Sequence, residues 1–335
     1  MSVILVTGSA GLIGSETVKH FAAVGYDIVG IDNDMRRTFF GDEASTAPNR
    51  VALERTVKAY THHDLDVRDR EGVDGLFSRY GEDVAAVVHT AAQPSHDWAA
   101  RAPFVDFDVN AVGTLNVLES ARRANVRRIV HTSTSEVYGT AQVAPITEQH
   151  PIRPQSPYAA SKAGADHLVL AYGASFGTPV VVLRPFNTYG PRQSLRAVIP
   201  TIAAQLLRGG AVRLGSVHPT RDFTFVSDTV AGFMLAATAP DAVGRTVQLG
   251  TGVEISIGDL AKLLGDITGV VPRIETDPDR VRPAASEVER LVADPALARE
   301  LLGWTPTVDL RAGLQRTVEW LRQSPAGDRA AEYVR

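Results

Sequence analysis

Tyr158 stands four residues before Lys162 in the stretch SPYAASK. On a helix that spacing stacks phenol and ammonium on one face, where the positive charge can lower the phenol's pKa and make it a proton shuttle. Upstream, the apolar run RRIVH leads into TSTSEVYG, a loop rich in hydroxyls with one carboxylate, Glu136. The run reads as a buried strand, and open α/β sheets place their chemistry at strand ends. This loop, with Glu136, is thereby placed where it could share a reaction centre with Tyr158 and Lys162. Taken alone, the Tyr158 and Lys162 pair better suits a solvated lysine beside a half-buried tyrosine.

The elements that must hold these residues begin at the N-terminus. VILVTGSAGLIGSETVKHFAAVGYDIVGIDND reads as strand, glycine turn, helix and second strand. Gly8, Gly11 and Gly14 permit a tight turn and close approach of a pyrophosphate, with Leu12 and Ile13 between them at the helix N-terminus, whose free N–H groups favour an anion. Asp32, about 20 residues further on, can accept hydrogen bonds from a ribose diol, and Asn33 follows it. Asp32 would repel a 2′-phosphate, so the expected cofactor is NAD rather than NADP, although Arg36 and Arg37 stand nearby.

Apolar strands continue to alternate with amphipathic helices through HHDLDVRD, AAVVHTAA, RRIVHTSTS and TPVVVLRPFN. This rhythm predicts a doubly wound parallel sheet of the Rossmann type. The polar stretch from Arg36 to Thr56 reads as a long functional or mobile connection, in which Phe39 and Phe40 either cover the sheet edge or meet a ligand. AVIPTIAAQLLRGG predicts a helix, VRLGSVHPTRDFTFVSDTV a strand, a turn and a strand, and the region from Ile257 onward short amphipathic helices. The expected division is a cofactor-binding domain over 1–187 plus about 223–254, a smaller C-terminal α/β substrate domain over 188–222 and 255–325, and a tail over 326–335.

Composition removes several classes of function. With 335 residues, 44% of them hydrophobic, the chain can bury a sizeable core. A net charge of −4, with arginines scattered among acids, gives no field for nucleic acid. Cysteine is absent and the nine histidines show no metal-ligand spacing, so no metal is expected. No apolar run approaches the ~20 residues of a membrane span and no export signal is read, so no membrane association and a cytoplasmic location are expected.

Taken together, TGSAGLIGS, DVRD, HTAAQ, NAVGTLNVLE, STSEVYG, YAASK, RPFNTYGPR, RDFTFVSDT and LLGWTP resemble the extended short-chain dehydrogenase/reductases, specifically the nucleotide-sugar epimerases and dehydratases. The resemblance covers nearly the whole chain. It implies that Asp66 and Val67 sit by the adenine, that Ala91 and Ala92 line the cofactor, and that Ser133, Tyr158 and Lys162 form the catalytic core. Gln93 and His96 would border the nicotinamide and sugar, with Trp98 either beside them or packing under a capping turn. Asn187 and Val198 would meet the substrate, a nucleotide-diphosphate sugar. Arg192, Arg221 and Arg282, in GPRQ, TRDF and RVRP, would hold its diphosphate, to which guanidinium forks are suited. The helix at Asn110–Ala124 and the one carrying Tyr158 would build a homodimer contact, although a buried core would give the same apolar stripes.

The resemblance also implies a reaction that starts by oxidation at C4 of the sugar. Tyr158 would remove the C4 hydroxyl proton while Ser133 hydrogen-bonds the same oxygen. A 4-epimerase needs no further base, whereas Glu136 can take the acidified C5 proton and so lead to loss of the C6 hydroxyl. Ser135 stands where many 4,6-dehydratases have an aspartate, and it is a far weaker acid, so that Glu136 or a water would supply the proton to the leaving hydroxyl. The second half of the chain is most similar to amino-sugar and GDP-mannose 4,6-dehydratases, and the first half, IDNDMRRTFFGDEAS, to CDP-paratose 2-epimerase. The reading that follows is an NAD-dependent 4,6-dehydratase. A C4 or C2 epimerase is the alternative, ahead of a UDP-glucuronate decarboxylase or a cofactor-binding regulator without turnover.

Overall fold

The computed structural model describes residues 2–281 and 283–324. Seven strands form one parallel sheet: β1 (Val3–Thr7), β2 (Asp27–Ile31), β3 (Tyr60–His63), β4 (Val84–His89), β5 (Ile129–Thr132), β6 (Val180–Pro185) and β7 (Thr246–Leu249). Their spatial order is β7-β6-β5-β4-β1-β2-β3. This is the expected Rossmann-type α/β fold. Every residue of β1 and β6 is buried, as a parallel sheet covered by helices on both faces requires.

Side-chain alternation along β1 divides the core. Ile4 and Val6 pack with Val18 and Phe21 of the helix Leu12–Ala23 and with Trp304, whereas Val3 and Leu5 face Val117, Leu118 and Val169. A separate apolar core joins Tyr189, Ile199, Ile202, Leu206, Leu260, Leu314 and Val318. Around it lie the helices Val198–Leu207, Ile257–Thr268 and Leu310–Gln323.

One reading of the sequence needs correction. The polar stretch from Arg36 to Thr56 is no extended loop: it folds as Met35–Phe40, a short turn and the ten-residue helix Ala47–Thr56. A proline in its first turn starts that helix without costing a hydrogen bond, and Leu53 anchors it in the core. The strands Ala211–Leu214 and Thr220–Phe225 form where the sequence places a strand, a turn and a strand, and each pairs with other strands. The first runs parallel to Arg273–Thr276, and the second pairs with Glu254–Ser256, Asn187–Tyr189 and Arg290–Leu291.

The direction changes between β1 and β4, and the cleft at such a switch point is where open sheets bind ligands. Opposite it, Trp304 ties the C-terminal segment down. It is 1% exposed, and its indole N–H donates to the Asp228 carbonyl at 2.8 Å. The Asp228 carboxylate accepts from the Thr307 and Val308 backbone N–H groups at 3.0 and 2.9 Å. Trp304→Ala should cost roughly 3–5 kcal/mol in urea unfolding, through the cavity left and the orphaned carbonyl. A loss under about 1 kcal/mol would contradict this role.

Candidate active site

A cavity of about 750 Å³ lies over the carboxyl ends of β1, β2, β4, β5 and β6. Gly8, Gly11, Leu12, Ile13, Gly14, Asp32, Asn33, Asp66, Val67, Ala91 and Ala92 all line it. A Cβ on Gly14 would fall 2.1 Å from the Gly8 carbonyl oxygen, and one on Gly8, whose φ is 66°, would fall 2.8 Å from Ala91 Cα. The turn is therefore closed to larger residues. No side chain caps the helix that starts at Leu12, and its first-turn N–H groups have no acceptor within the helix. This arrangement fits a dinucleotide pyrophosphate.

Asp32, just past the end of β2, lies on the cavity wall. Its carboxylate accepts from the Ala10 N–H at 3.0 Å, the Asp34 N–H at 2.9 Å and the Thr46 hydroxyl at 3.2 Å. Arg36 lines the cavity and is drawn to Asp32 and Asp34, while Arg37 turns away to Asp42 at 2.5 Å. Asn33 donates to Asp66 at 3.0 Å, joining the two strand ends that would flank an adenosine.

The catalytic candidates meet at one end of the cavity. The helix Pro157–Phe176 starts at Ser156, whose hydroxyl accepts from the Ala159 N–H at 3.1 Å, and its inner face presents Tyr158, Lys162 and Asp166 at successive turns. Tyr158 hydrogen-bonds Thr134 and meets His96 edge to face, with ring centres 5.0 Å apart. His96 Nε2 lies 3.6 Å from Glu136 Oε2. Ser135 and Glu136 line the cavity, and both are buried.

Ser133 does not take the position expected of it. Its hydroxyl donates to Asp166 Oδ2 at 2.6 Å, on the inner side of the loop, and Thr134 is the residue whose hydroxyl reaches Tyr158. Successive side chains in an extended segment face opposite ways, so in a run of four hydroxyl residues only the structure distinguishes the two. The composition of the run gave no signal that would have singled out Thr134.

Electrostatics correct a second expectation. Burial pushes the Tyr158 phenol above its ordinary pKa, against the Thr134 hydrogen bond and reinforced by Glu136, Asp106 and Asp166. The Lys162 ammonium is pushed down to about 8 by burial, against the pull of Asp166 and Asp106. Its Nζ donates to the Thr132 carbonyl at 2.6 Å. Lys162 thus steadies the loop through this hydrogen bond.

Of the residues expected to meet substrate, His96, Asn187, Val198 and Arg221 line the cavity. Asn187 Oδ1 is buried without a hydrogen-bond partner, and Arg221 lies 3.6 Å from Glu287. Gln93 does not line it: its amide is buried between Ser95 and Asp106, at 2.9 and 3.0 Å. Arg192 does not either. Its backbone is left-handed, with φ 72°, and its guanidinium pairs with Glu16 at 2.9 Å. Arg282 lies outside the described residues, but Arg280 lines the cavity, as does Arg196, stacked 4.6 Å over the Phe40 ring. Both Phe39 and Phe40 face the cavity, and Trp98 packs on Phe39 at 4.1 Å without lining it.

The model of the family described as GDP-mannose 4,6 dehydratase matches residues 5–317. The chain belongs to this family. Curated proteins similar to the chain include both reaction types. A UDP-glucose 4-epimerase of Mycolicibacterium smegmatis is 35% identical over 323 residues, 95% of this chain and 98% of that one. A dTDP-glucose 4,6-dehydratase of an Actinoplanes species is 35% identical over 335 residues, covering 95% and 97%. A dTDP-glucose 4,6-dehydratase from Streptomyces venezuelae, solved with NAD bound, superimposes with a TM-score of 0.84 at 31% identity over 96% of this chain and 97% of that one. The GDP-mannose 4,6-dehydratase family thus sets the class, nucleotide-sugar dehydratase or epimerase, and leaves the choice between them to the residues at Glu136.

Lys162 yields a prediction about stability. Its pKa falls from 10.5 unfolded to about 8 folded, so burying the charge costs stability below pH 8, and the cost lifts as pH rises from 8 towards 10.5. Lys162→Met should therefore be more stable than the wild type at pH 7 by about 1–3 kcal/mol, with the difference shrinking by pH 10. A difference independent of pH in denaturant titrations would contradict a buried ammonium.

Proposed function

We propose that the protein is an NAD-dependent nucleotide-sugar 4,6-dehydratase, converting a hexose nucleotide into its 4-keto-6-deoxy derivative. The observation that carries this reading is Glu136. The residue is 8% exposed, lines the cavity one residue from Ser135 and two from Thr134, and keeps Oε2 without a hydrogen-bond donor. Leaving a buried carboxylate oxygen unsatisfied is costly, and such a cost is tolerated where a substrate supplies the partner. An epimerase that only inverts C4 has no use for this base.

The glycine turn and Asp32 support NAD, as does its presence in the solved dehydratase. Bound NAD would accept hydrogen with its electron pair from the sugar and return it within the same turnover. Tyr158, hydrogen-bonded by Thr134, takes the proton from the C4 hydroxyl as C4 becomes a ketone. The ketone acidifies C5–H, and Glu136 removes that proton. Arg221 and Arg280, with Arg196 nearer the aromatic wall, supply the positive charge for the substrate's diphosphate. Tyr158 and Thr134 thus replace Tyr158 and Ser133 as the pair at C4. We also propose a homodimer through the helical face that leaves Phe104 85% and Phe107 52% exposed.

Turnover in deuterated water tests the assignment. The wild type should give a product with deuterium on C5 and a methyl group at C6 by NMR. Glu136→Gln should slow both by roughly 10²–10⁴-fold. A product that carries no carbon-bound deuterium and differs from substrate only in stereochemistry would establish the epimerase instead.

A further inference from the structure

Resting on the dehydratase reading, the structure leaves one chemical requirement open. Expulsion of the C6 hydroxyl at neutral pH needs a proton donor at that oxygen, because hydroxide is a poor leaving group. Ser135 lines the cavity, but an alcohol cannot protonate another alcohol to any useful extent. Tyr158 is engaged at C4 through Thr134. Lys162 points its Nζ to the Thr132 carbonyl beneath the loop and away from a second task.

Asp97 also lines the cavity, but the titratable group set against both Tyr158 and Glu136 is His96. It begins the helix His96–Arg101, whose N-cap is Ser95, the hydroxyl accepting from the Trp98 N–H at 3.2 Å. The Ser95 backbone is fixed in turn by Gln93, whose side-chain amide donates to the Ser95 carbonyl at 2.9 Å and to Asp106 at 3.0 Å. The imidazole is thus presented by a rigid turn, edge to face with Tyr158 and with Nε2 3.6 Å from Glu136 Oε2. A base and an acid so close address neighbouring carbons of one substrate.

We propose that His96 is the general acid of the elimination, working as a pair with Glu136. Glu136 takes the C5 proton, the electron pair of that C–H bond becomes the C5–C6 double bond, and the C6–O bond breaks with its electrons on oxygen. The proton on His96 Nε2 goes to that oxygen, which departs as water. The pair begins as carboxylate and imidazolium and ends as carboxylic acid and imidazole, so its net charge is unchanged. The proton that Tyr158 removed from the C4 hydroxyl balances the one lost in the water, and the carboxylic acid exchanges its proton with solvent before it protonates C5. The step needs no oxidant beyond the bound nicotinamide cofactor.

A leaving group that needs no proton separates this role from a structural one. The probes are dTDP-6-deoxy-6-fluoroglucose and GDP-6-deoxy-6-fluoromannose beside their 6-hydroxy parents, with fluoride release and ketosugar formation as readouts. In His96→Gln and His96→Asn, loss of water should fall by roughly 10²–10³-fold while loss of fluoride stays near the wild-type rate. Glu136→Gln should lose both. Equal losses of water and fluoride in the two His96 variants would overturn the assignment and leave His96 a positioning residue. A wild-type protein that eliminates neither group would remove the dehydratase reading itself, and the acid with it.

Discussion

Asp166 is fully buried, and the reaction centre hangs from it. Arg184 of β6 grips its Oδ2 with two donors at 2.9 and 3.0 Å, Ser133 donates to the same oxygen at 2.6 Å, and His131 of β5 lies 3.3 Å from Oδ1. Burial alone would raise its pKa, but His131, Arg184 and Ser133 together hold it below the ordinary carboxylate range. A buried charge with this many partners is worth little as net stability, yet removing one partner is expensive. The arrangement therefore fixes geometry. It pins the loop after β5 to the helix that carries Tyr158 and Lys162, at the one place where a small displacement would separate Thr134 from the phenol.

A second buried carboxylate braces the same helix from the other side. Asp106 accepts from Ser161 at 2.6 Å, from Gln93 at 3.0 Å and from Asn110 at 3.1 Å. Between them the two carboxylates hold the turn that carries His96, the loop that carries Glu136 and the helix face of Tyr158 in one frame. Their fields also reach the titrating groups: both oppose the loss of charge on Lys162 and both discourage ionisation of Tyr158.

The cofactor half of the site was legible in the sequence because its chemistry is done by backbone. Gly8 and Gly14 are read from the absence of a side chain, and Asp32 from its distance along the chain, neither of which depends on a rotamer. The reaction centre was legible to the level of the segment. Within TSTS, four hydroxyl residues differ only in which side of the loop they face, and the buried Asp166 that claims Ser133 lies 33 residues away. Gln93 and Arg192 were misplaced for the same reason: Asp106 and Glu16, invisible as partners in one dimension, take their polar atoms. The Arg36–Thr56 stretch misled through its polarity, since a helix anchored by one buried leucine needs little apolar sequence.

The account depends on Glu136 as a base, and thus on loss of water from the sugar. The most direct measurement is mass spectrometry of the purified protein incubated with GDP-, UDP-, dTDP- and CDP-hexoses in turn. The account predicts that one nucleotide sugar loses the mass of one water while bound cofactor is regenerated. An active protein that leaves every mass unchanged and yields only a new stereoisomer would contradict it.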